Sequence, residues 1–318
     1  MSIFVSIASY RDTELVPTIN SLLSQADNPQ DIHFGIVSQD LNKSHPDLSF
    51  LKNKNYLKFN YKDSRGVGYA RKLAMHMYNG EDFYLQIDSH MRFKKSWDSK
   101  IKNMLEVSQE ISNSKKVVLS QFPAPYEIHT DGKEFYPKNH KELWDRPSWS
   151  KVHNRDFGAW SAERQEIEDL SRPHPTHTLL AGYIFSTGDF VKELPYDERI
   201  SFMGEELCLA IRAYTRGWEL YAPNEILVWH YYKRKRSPKV WNQIDDMNRS
   251  LSWIEMEMKS KKTQKSVLLG EDNGIYGVGD YDKYQEYQKL IGINFYDFYE
   301  NVINKKLNRS VTTQEIIL

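Results

Sequence analysis

Short apolar runs alternate with stretches of helical period over the first third of the chain. Ile3 to Ser9, Ile32 to Ser38, Leu57 to Tyr61 and Phe83 to Ile87 have the length and residue types of strands, while Glu14 to Gln25 and Tyr69 to Tyr78 read as helices. Such alternation predicts parallel βαβ units with helices on both faces of an open sheet. Ligands of these sheets sit beyond the carboxyl ends of the strands, which singles out Ala8 to Asp12, Gln39, and Asp88 to His90.

A helix is predicted over Ser96 to Ile111 and a strand over Val117 to Gln121, after which the texture changes. Phe122 to Pro175 carries Pro, Trp, His and charged residues with little periodicity, a length at which loops usually cover a site or bind a substrate. Regular pattern resumes with a strand over Thr178 to Ser186, a helix over Glu205 to Arg216 and a strand near Ile226 to His230. Beyond that the chain is polar and Tyr-rich, helical around Trp241 to Lys259 and again near Tyr281 to Leu290. The expected organisation is an α/β catalytic domain over residues 1–236, with an acceptor-side insertion at about 122–175, and a mostly helical extension over 237–318 packed on it.

Composition narrows the class. At 318 residues and 40% hydrophobic content the chain can bury a sizeable core, as an enzyme does. Lys and Arg number 43 and Asp and Glu number 43, so no global field draws it to nucleic acid or anionic lipid. The single cysteine, Cys208, excludes an internal disulfide and fits a reducing compartment. MSIFVSIASYRD lacks the features of a signal peptide, and no apolar run approaches the roughly twenty residues of a spanning helix. The expectation is a soluble, cytoplasmic protein without a membrane partner.

The chemistry concentrates in a few segments. In FYLQIDSH an apolar strand ends in Asp-Ser-His, and residues two apart on an extended chain share a face, so Asp88 and His90 can converge on one cation while Ser89 points away. The alternative is an Asp that caps the following helix beside an ordinary surface His. His230, at the end of the apolar run Ile226 to Trp229, supplies a third candidate ligand from a second strand end; carboxylate with imidazole suits Mn²⁺ or a related divalent ion.

In DSRGVGYARKLA, Gly66 and Gly68 permit close backbone approach, the helix that follows offers N–H groups, and Arg65 and Arg71 supply cations for a diphosphate. The third glycine of a dinucleotide fingerprint is missing, and a glycine turn before a solvated basic helix is the plainer reading. Glu205 and Glu206 open a predicted helix, where the macrodipole alone favours acidic residues. A carboxylate there can also orient or deprotonate an acceptor hydroxyl.

The ordered pieces IFVSIASYRD, RGVGYAR, YLQIDSHMRF, GYIFS, PYDERISFMGEE and VWHYYKR, spanning residues 3–236, resemble the cytoplasmic glycosyltransferases that attach N-acetylglucosamine to hydroxyproline on a ubiquitin-ligase subunit. The Asp-Ser-His and Gly-Glu-Glu pieces also look like the polypeptide N-acetylgalactosaminyltransferases. The resemblance implies a GT-A fold, a UDP-sugar donor and a divalent cation, commonly Mn²⁺. It implies Asp88, His90 and His230 as metal ligands, and Ser9, Arg11, Arg65 and Arg71 near the uridine diphosphate. It further implies that Gly182 and Tyr183 line the sugar pocket, that Glu205 and Glu206 lie beside sugar and acceptor, and that anomeric configuration is retained, so that the new linkage is α. Lys233, Arg234 and Arg236 follow His230 closely enough to close over the diphosphate.

Three functions stay open at this level. The first is transfer of a sugar, best matched by N-acetylglucosamine from UDP-GlcNAc, to a hydroxyl on a protein or glycan. The second is a glycosyltransferase acting on hydroxymethylated bases of nucleic acid, for which the KRKR run and Trp149, Trp160 and Trp241 leave room, against a neutral overall charge. The third is a non-catalytic module that binds a nucleotide sugar or carbohydrate.

Overall fold

The computed structural model describes residues 1–137, 143–148, 161–166, 169–234, 237–241 and 247–301, with only the backbone of 143–148 and 161–166. The chain runs β1 (Ile3–Tyr10), α1 (Leu15–Gln25), β2 (Ile32–Asp40), β3 (Lys54–Asn60), α2 (Val67–Met75), β4 (Phe83–Asp88), β5 (Met91–Phe93), α3 (Trp97–Ser112) and β6 (Val117–Ser120). Short strands follow: β7 (Ala124–Pro125), β8 (Glu127–Ile128), β9 (Glu134–Phe135), β10 (Leu143–Ser148), β11 (Ser161–Glu166) and β12 (His174–Pro175). The chain continues with β13 (Tyr183–Thr187), α4 (Asp189–Glu193), α5 (Glu205–Tyr214), β14 (Glu219–Ala222), β15 (Val228–His230), α6 (Trp253–Leu268) and α7 (Tyr281–Ile291).

Eight strands form the central sheet in the order β12-β14-β6-β13-β4-β1-β2-β3. Both faces are buried, so the inner strands read as nearly continuous apolar runs. Along β1 and β4, Ile3, Val5, Ile7, Leu85 and Ile87 face one core with α1 and α3, including Leu15, Ile19, Trp97 and Ile101. Phe4 and Tyr84 face a second core with α4 and α5. Val267, Leu268, Tyr284, Tyr287 and Phe295 of the C-terminal segment lie in that second core, so the α6–α7 region shares its hydrophobic packing with α5. No helix among the described residues is long and apolar enough to cross a membrane.

The sheet is mixed: parallel over the first third of the chain, and antiparallel where β13 joins it. β3, β2, β1 and β4 are parallel as predicted, but β13 runs antiparallel to both β4 and β6. β13 enters the sheet with Tyr183 opposite Ile87 and Thr187 opposite Phe83, as antiparallel pairing requires. It is also shorter than Thr178 to Ser186, because the segment ahead of Tyr183 forms a turn closed by Tyr183 N–H donating to Leu180 O. The helix expected over Trp241 to Lys259 begins at Trp253 instead, where Ser252 and Glu255 form a reciprocal capping box. The expectation for Asn242 to Asp246 lies outside the described residues.

A second, three-stranded sheet decides where the chemistry goes. β15 pairs antiparallel with β5, placing His230 opposite Met91, and parallel with β7 on its other edge. Tyr231 N–H donates to His90 O at 3.1 Å and Tyr126 N–H to His230 O at 3.1 Å. Backbone bonds thus hold the two distant strand ends side by side.

Candidate metal and donor site

At the carboxyl end of β4 the chain bends through Ser89 and His90 before β5 begins. Asp88 and His90 therefore converge across a bend, not along one extended strand. Ser89 does not point to solvent: it is buried, its hydroxyl donates to Asp12 Oδ2 at 2.8 Å, and its carbonyl accepts from Thr18 Oγ1 at 3.0 Å. His90 Nδ1 donates to the same Asp12 oxygen at 2.8 Å. An ionised carboxylate only accepts, so the proton sits on Nδ1 and the Nε2 lone pair faces the site.

His90 Nε2 lies 2.9 Å from His230 Nε2, and Asp88 Oδ2 lies 3.2 Å from His230 Nε2 and 3.8 Å from His90 Nε2. Asp88, His90 and His230 are a group whose ligand atoms all fall within 4.8 Å of one another. Two imidazole nitrogens at that separation require either a shared proton or a cation between them. Two nitrogens and one carboxylate oxygen make a donor set for a borderline divalent ion, and a carboxylate behind one histidine is the outer support such ligands ordinarily have. The residues present fit a divalent cation.

Electrostatics keep the set ready to bind. Burial would raise the Asp88 carboxyl, but the His230 hydrogen bond and the Arg71 charge hold it well below the usual carboxylate range. Burial pushes His230 down to about 4 against the opposing pull of Asp88, so its ring stays neutral near pH 7.

Beneath Asp88 lies a buried ion network. Arg71 Nη2 donates to Asp88 Oδ1 at 2.8 Å, and Nη1 donates to Glu205 Oε1 at 2.5 Å and to Tyr196 OH at 3.0 Å. Burial alone would lower the Arg71 guanidinium; Glu205, Tyr196 and Asp88 keep it charged. Arg71 is 4% exposed and Glu205 7% exposed, so both work from inside the protein on Asp88. Glu206 stands nearer the edge, accepting from Ala181 N–H at 2.8 Å, and burial together with the Glu205 charge lifts its carboxyl to about 7.

The other expected site residues sort by position. Gly182 is at the site: a Cβ there would lie 3.0 Å from Asp88 Oδ2. Tyr183 is not. Strand alternation sends its ring into the core shared with α1 and α3, on the face of the sheet opposite Tyr84, where it is 1% exposed. Gly66 and Gly68 have close neighbours, but these are protein: Cβ atoms would collide with Ser201 and with Ile200 O, and Val67 N–H already donates to Ser201 O at 2.7 Å. The glycines therefore seat α2 against the loop before α5, and the expected phosphate cradle there gives way to that packing.

Ser9 is buried at the end of β1, beside Ser38 of β2. Arg11 stacks on Tyr61 at 4.5 Å and Arg65 on Tyr69 at 5.1 Å. Lys233 pairs with Glu127 at 2.5 Å and Arg234 with Asp12 at 2.8 Å. Trp241 packs against Phe202 and Trp253, with ring centroids 4.9 and 5.9 Å away. Trp149, Trp160 and Arg236 lie outside the described residues. Sequence reasoning missed Tyr196 as a partner in the site, and it picked out Asp12 and Ser89 by position at strand ends without giving either a role of its own. Asp12 carried a signal, since it closes the exit of the first strand.

A family model described as Glycosyltransferase (GlcNAc) matches residues 2–58 and 50–297. The chain belongs to the Glycosyltransferase (GlcNAc) family. The match runs past residue 236, where the resemblance read from the sequence stopped, and takes in α6 and α7. No curated protein matches the chain in sequence. Among solved structures it is similar to GalNAc-T7 with UDP, GalNAc and Mn²⁺, at 16% identity and a TM-score of 0.56 over 97% of this chain and 57% of that one. At this identity the likeness shows a common fold, the GT-A glycosyltransferase fold, and the chain spans somewhat over half the length of that relative. S. aureus TarS 1-349 in complex with UDP-GlcNAc is similar at 14% identity and a TM-score of 0.43, over 84% of this chain and 73% of that one.

Proposed function

We propose that the chain is a retaining, metal-dependent glycosyltransferase that moves N-acetylglucosamine from UDP-GlcNAc to a hydroxyl on a protein or glycan. The observation that carries the reading is the convergence of Asp88, His90 and His230 at the ends of β4 and β15 in a member of this family. Mn²⁺ fits the donor set; when bound, it neutralises the diphosphate of the leaving group. The resemblance to hydroxyproline-modifying enzymes makes a hydroxyproline peptide the first acceptor to try, and the single cysteine agrees with their cytoplasmic setting.

The chain's own residues divide the work. Asp88, His90 and His230 hold the cation, and Arg71 fixes the Asp88 carboxylate from below. Gly182 leaves room beside Asp88 for the donor. Lys233 and Arg234 are cations near the site for the leaving diphosphate. In retention of this kind the bond from the sugar's anomeric carbon to the diphosphate breaks and a bond to the acceptor oxygen forms on the same face. The acceptor's proton leaves to a diphosphate oxygen, so no strong protein base is required. Glu205, tied to Arg71 and Tyr196, suits a positioning role, and Glu206 is the carboxylate placed to bond a sugar or acceptor hydroxyl.

The test is donor turnover. Purified protein with Mn²⁺ should release UDP slowly from UDP-GlcNAc, faster than from UDP-GalNAc or GDP-sugars, and faster still with a hydroxyproline peptide. Asp88→Ala should lose this release. Equal turnover by the variant would overturn the assignment.

A further inference from the structure

We propose that Asp12 is a positioning residue of the cation site, fixing the tautomer and orientation of His90 and tying that imidazole to Arg234. The inference rests on the metal-dependent donor site proposed above and extends it to a residue outside the three ligands.

Backbone geometry delivers the side chain. Arg11 adopts φ 47°, a left-handed conformation uncommon outside glycine, anchored by its N–H donating to Gln39 O at 3.0 Å. The kink turns the chain out of β1 and points Asp12 inward, where its side chain is 1% exposed. Asp12 Oδ2 then accepts from three donors, His90 Nδ1, Ser89 Oγ and Arg234 Nη1, each at 2.8 Å. Its Oδ1 accepts from Glu14 N–H at 3.0 Å, which closes the carboxylate's rotation.

This arrangement does more than fill a hole. With Nδ1–H committed to Asp12, His90 can present only a lone pair at Nε2, the atom facing His230 and Asp88. His230 has no such support: its Nδ1 is buried without a partner among the described residues. One imidazole of the pair is thus held by a second carboxylate and the other is not. Arg234 comes from the segment after β15, so the same carboxylate grips the chain on both sides of the site, behind His90 and beyond His230.

The experiment uses the full chain with Mn²⁺ alone as probe. Metal affinity is measured by calorimetry on the wild type, Asp12→Ala and Asp12→Asn, and His90 tautomers by two-bond ¹H–¹⁵N imidazole correlations in metal-free protein. The expected result is Nδ1–H for His90 in the wild type and a shift toward Nε2–H in Asp12→Ala, with Mn²⁺ bound about 100-fold more weakly. Asp12→Asn keeps volume and one acceptor oxygen and so guards against a misfolded alanine variant; it should lose about 10-fold with the tautomer largely kept. Wild-type affinity and an unchanged tautomer in folded Asp12→Ala would overturn the proposal. If the wild type binds no Mn²⁺, the donor-site reading fails, while the tautomer comparison still decides the role of Asp12.

Discussion

His90 and His230, 140 residues apart in sequence, face each other nitrogen to nitrogen at 2.9 Å. Their meeting is enforced by backbone, through β15 lying on β5, and not by the rings themselves. Removing one ring therefore spares the scaffold and removes a ligand. His230→Ala should keep its far-UV spectrum and lose the Mn²⁺-dependent rise in Tm that the wild type gains from binding in the native state. UDP-GlcNAc turnover should fall with it by about 100-fold or more, since about 3 kcal/mol of leaving-group stabilisation is at stake. A metal-dependent Tm rise equal to the wild type's would contradict the ligand assignment.

The same ring predicts a pH signature of the metal-free fold. His230 is held down to about 4 by burial, against an ordinary value of 6.5. On acidification the unfolded chain takes up this proton first, so stability should fall as pH drops from 6.5 through about 4, by about 3 kcal/mol at most. Urea midpoints of wild type and His230→Gln in chelator at pH 7.5, 5.5 and 4.5 isolate the contribution. The variant should be the less pH-sensitive of the two, and parallel curves would exclude the mechanism.

Arg71 carries two carboxylates, and its removal strands both. With Asp88 and Glu205 left without their cation, Arg71→Met should destabilise the fold by about 3–5 kcal/mol. Neutralising Glu205 as well should recover part of the loss, because one uncompensated charge is removed. Chemical denaturation of Arg71→Met and of Arg71→Met with Glu205→Gln reads the difference. A double variant less stable than the single would mean that Glu205 is satisfied without Arg71.

Legibility followed the range of each physical cause. The strands β1, β2 and β4 were readable because both of their faces are buried and their residues say so locally. The triad was readable because a strand's carboxyl end is where such sheets hold ligands, although the bend at Ser89 and His90 was not. Tyr183 was placed by resemblance, and a single step of strand parity sends it to the opposite core. Gly66 and Gly68 do need close approach, yet only tertiary structure reveals that Ser201 and Ile200 are what approach them. The direction of β13 shows only in its pairing with β4 and β6, a long-range fact without a local code. The start of α6 has a local signal: Ser-Trp-Ile-Glu at 252–255 is a capping-box pattern, eleven residues beyond Trp241 at its first position.

Glu206 gives a pH dependence of the opposite sign. Burial and Glu205 raise its carboxyl to about 7, so the folded chain keeps a proton that the unfolded chain gives up from 4.5 upward. Its contribution to stability should diminish as pH rises from 4.5 through about 7 and level off above. Glu206→Gln keeps an oxygen for Ala181 N–H and cannot ionise. Its Tm should draw level with the wild type near pH 5 and exceed it at pH 8; a constant offset would refute the shifted carboxyl.

Gly182 offers the finest probe of site geometry. Its backbone is not in the left-handed region, so alanine brings no conformational strain, and the fold should tolerate it within about 1 kcal/mol. The added methyl carbon would nevertheless sit 3.0 Å from Asp88 Oδ2, tighter than ordinary van der Waals contact. Of its two partners, the carboxylate is the one able to give, since Gly182 O accepts from Asp88 N–H at 3.3 Å and β13 lies paired on β4. Oδ2 is the oxygen that faces His230 at 3.2 Å. A shift of a few tenths of an ångström is comparable with the roughly 0.2 Å tolerance of a metal–ligand distance. Gly182→Ala should therefore melt close to the wild type while binding Mn²⁺ at least 10-fold more weakly, the range seen when a ligand's support is disturbed. Calorimetry against differential scanning separates the two effects. Unimpaired Mn²⁺ binding at wild-type Tm would place the cation's oxygen ligand elsewhere on Asp88.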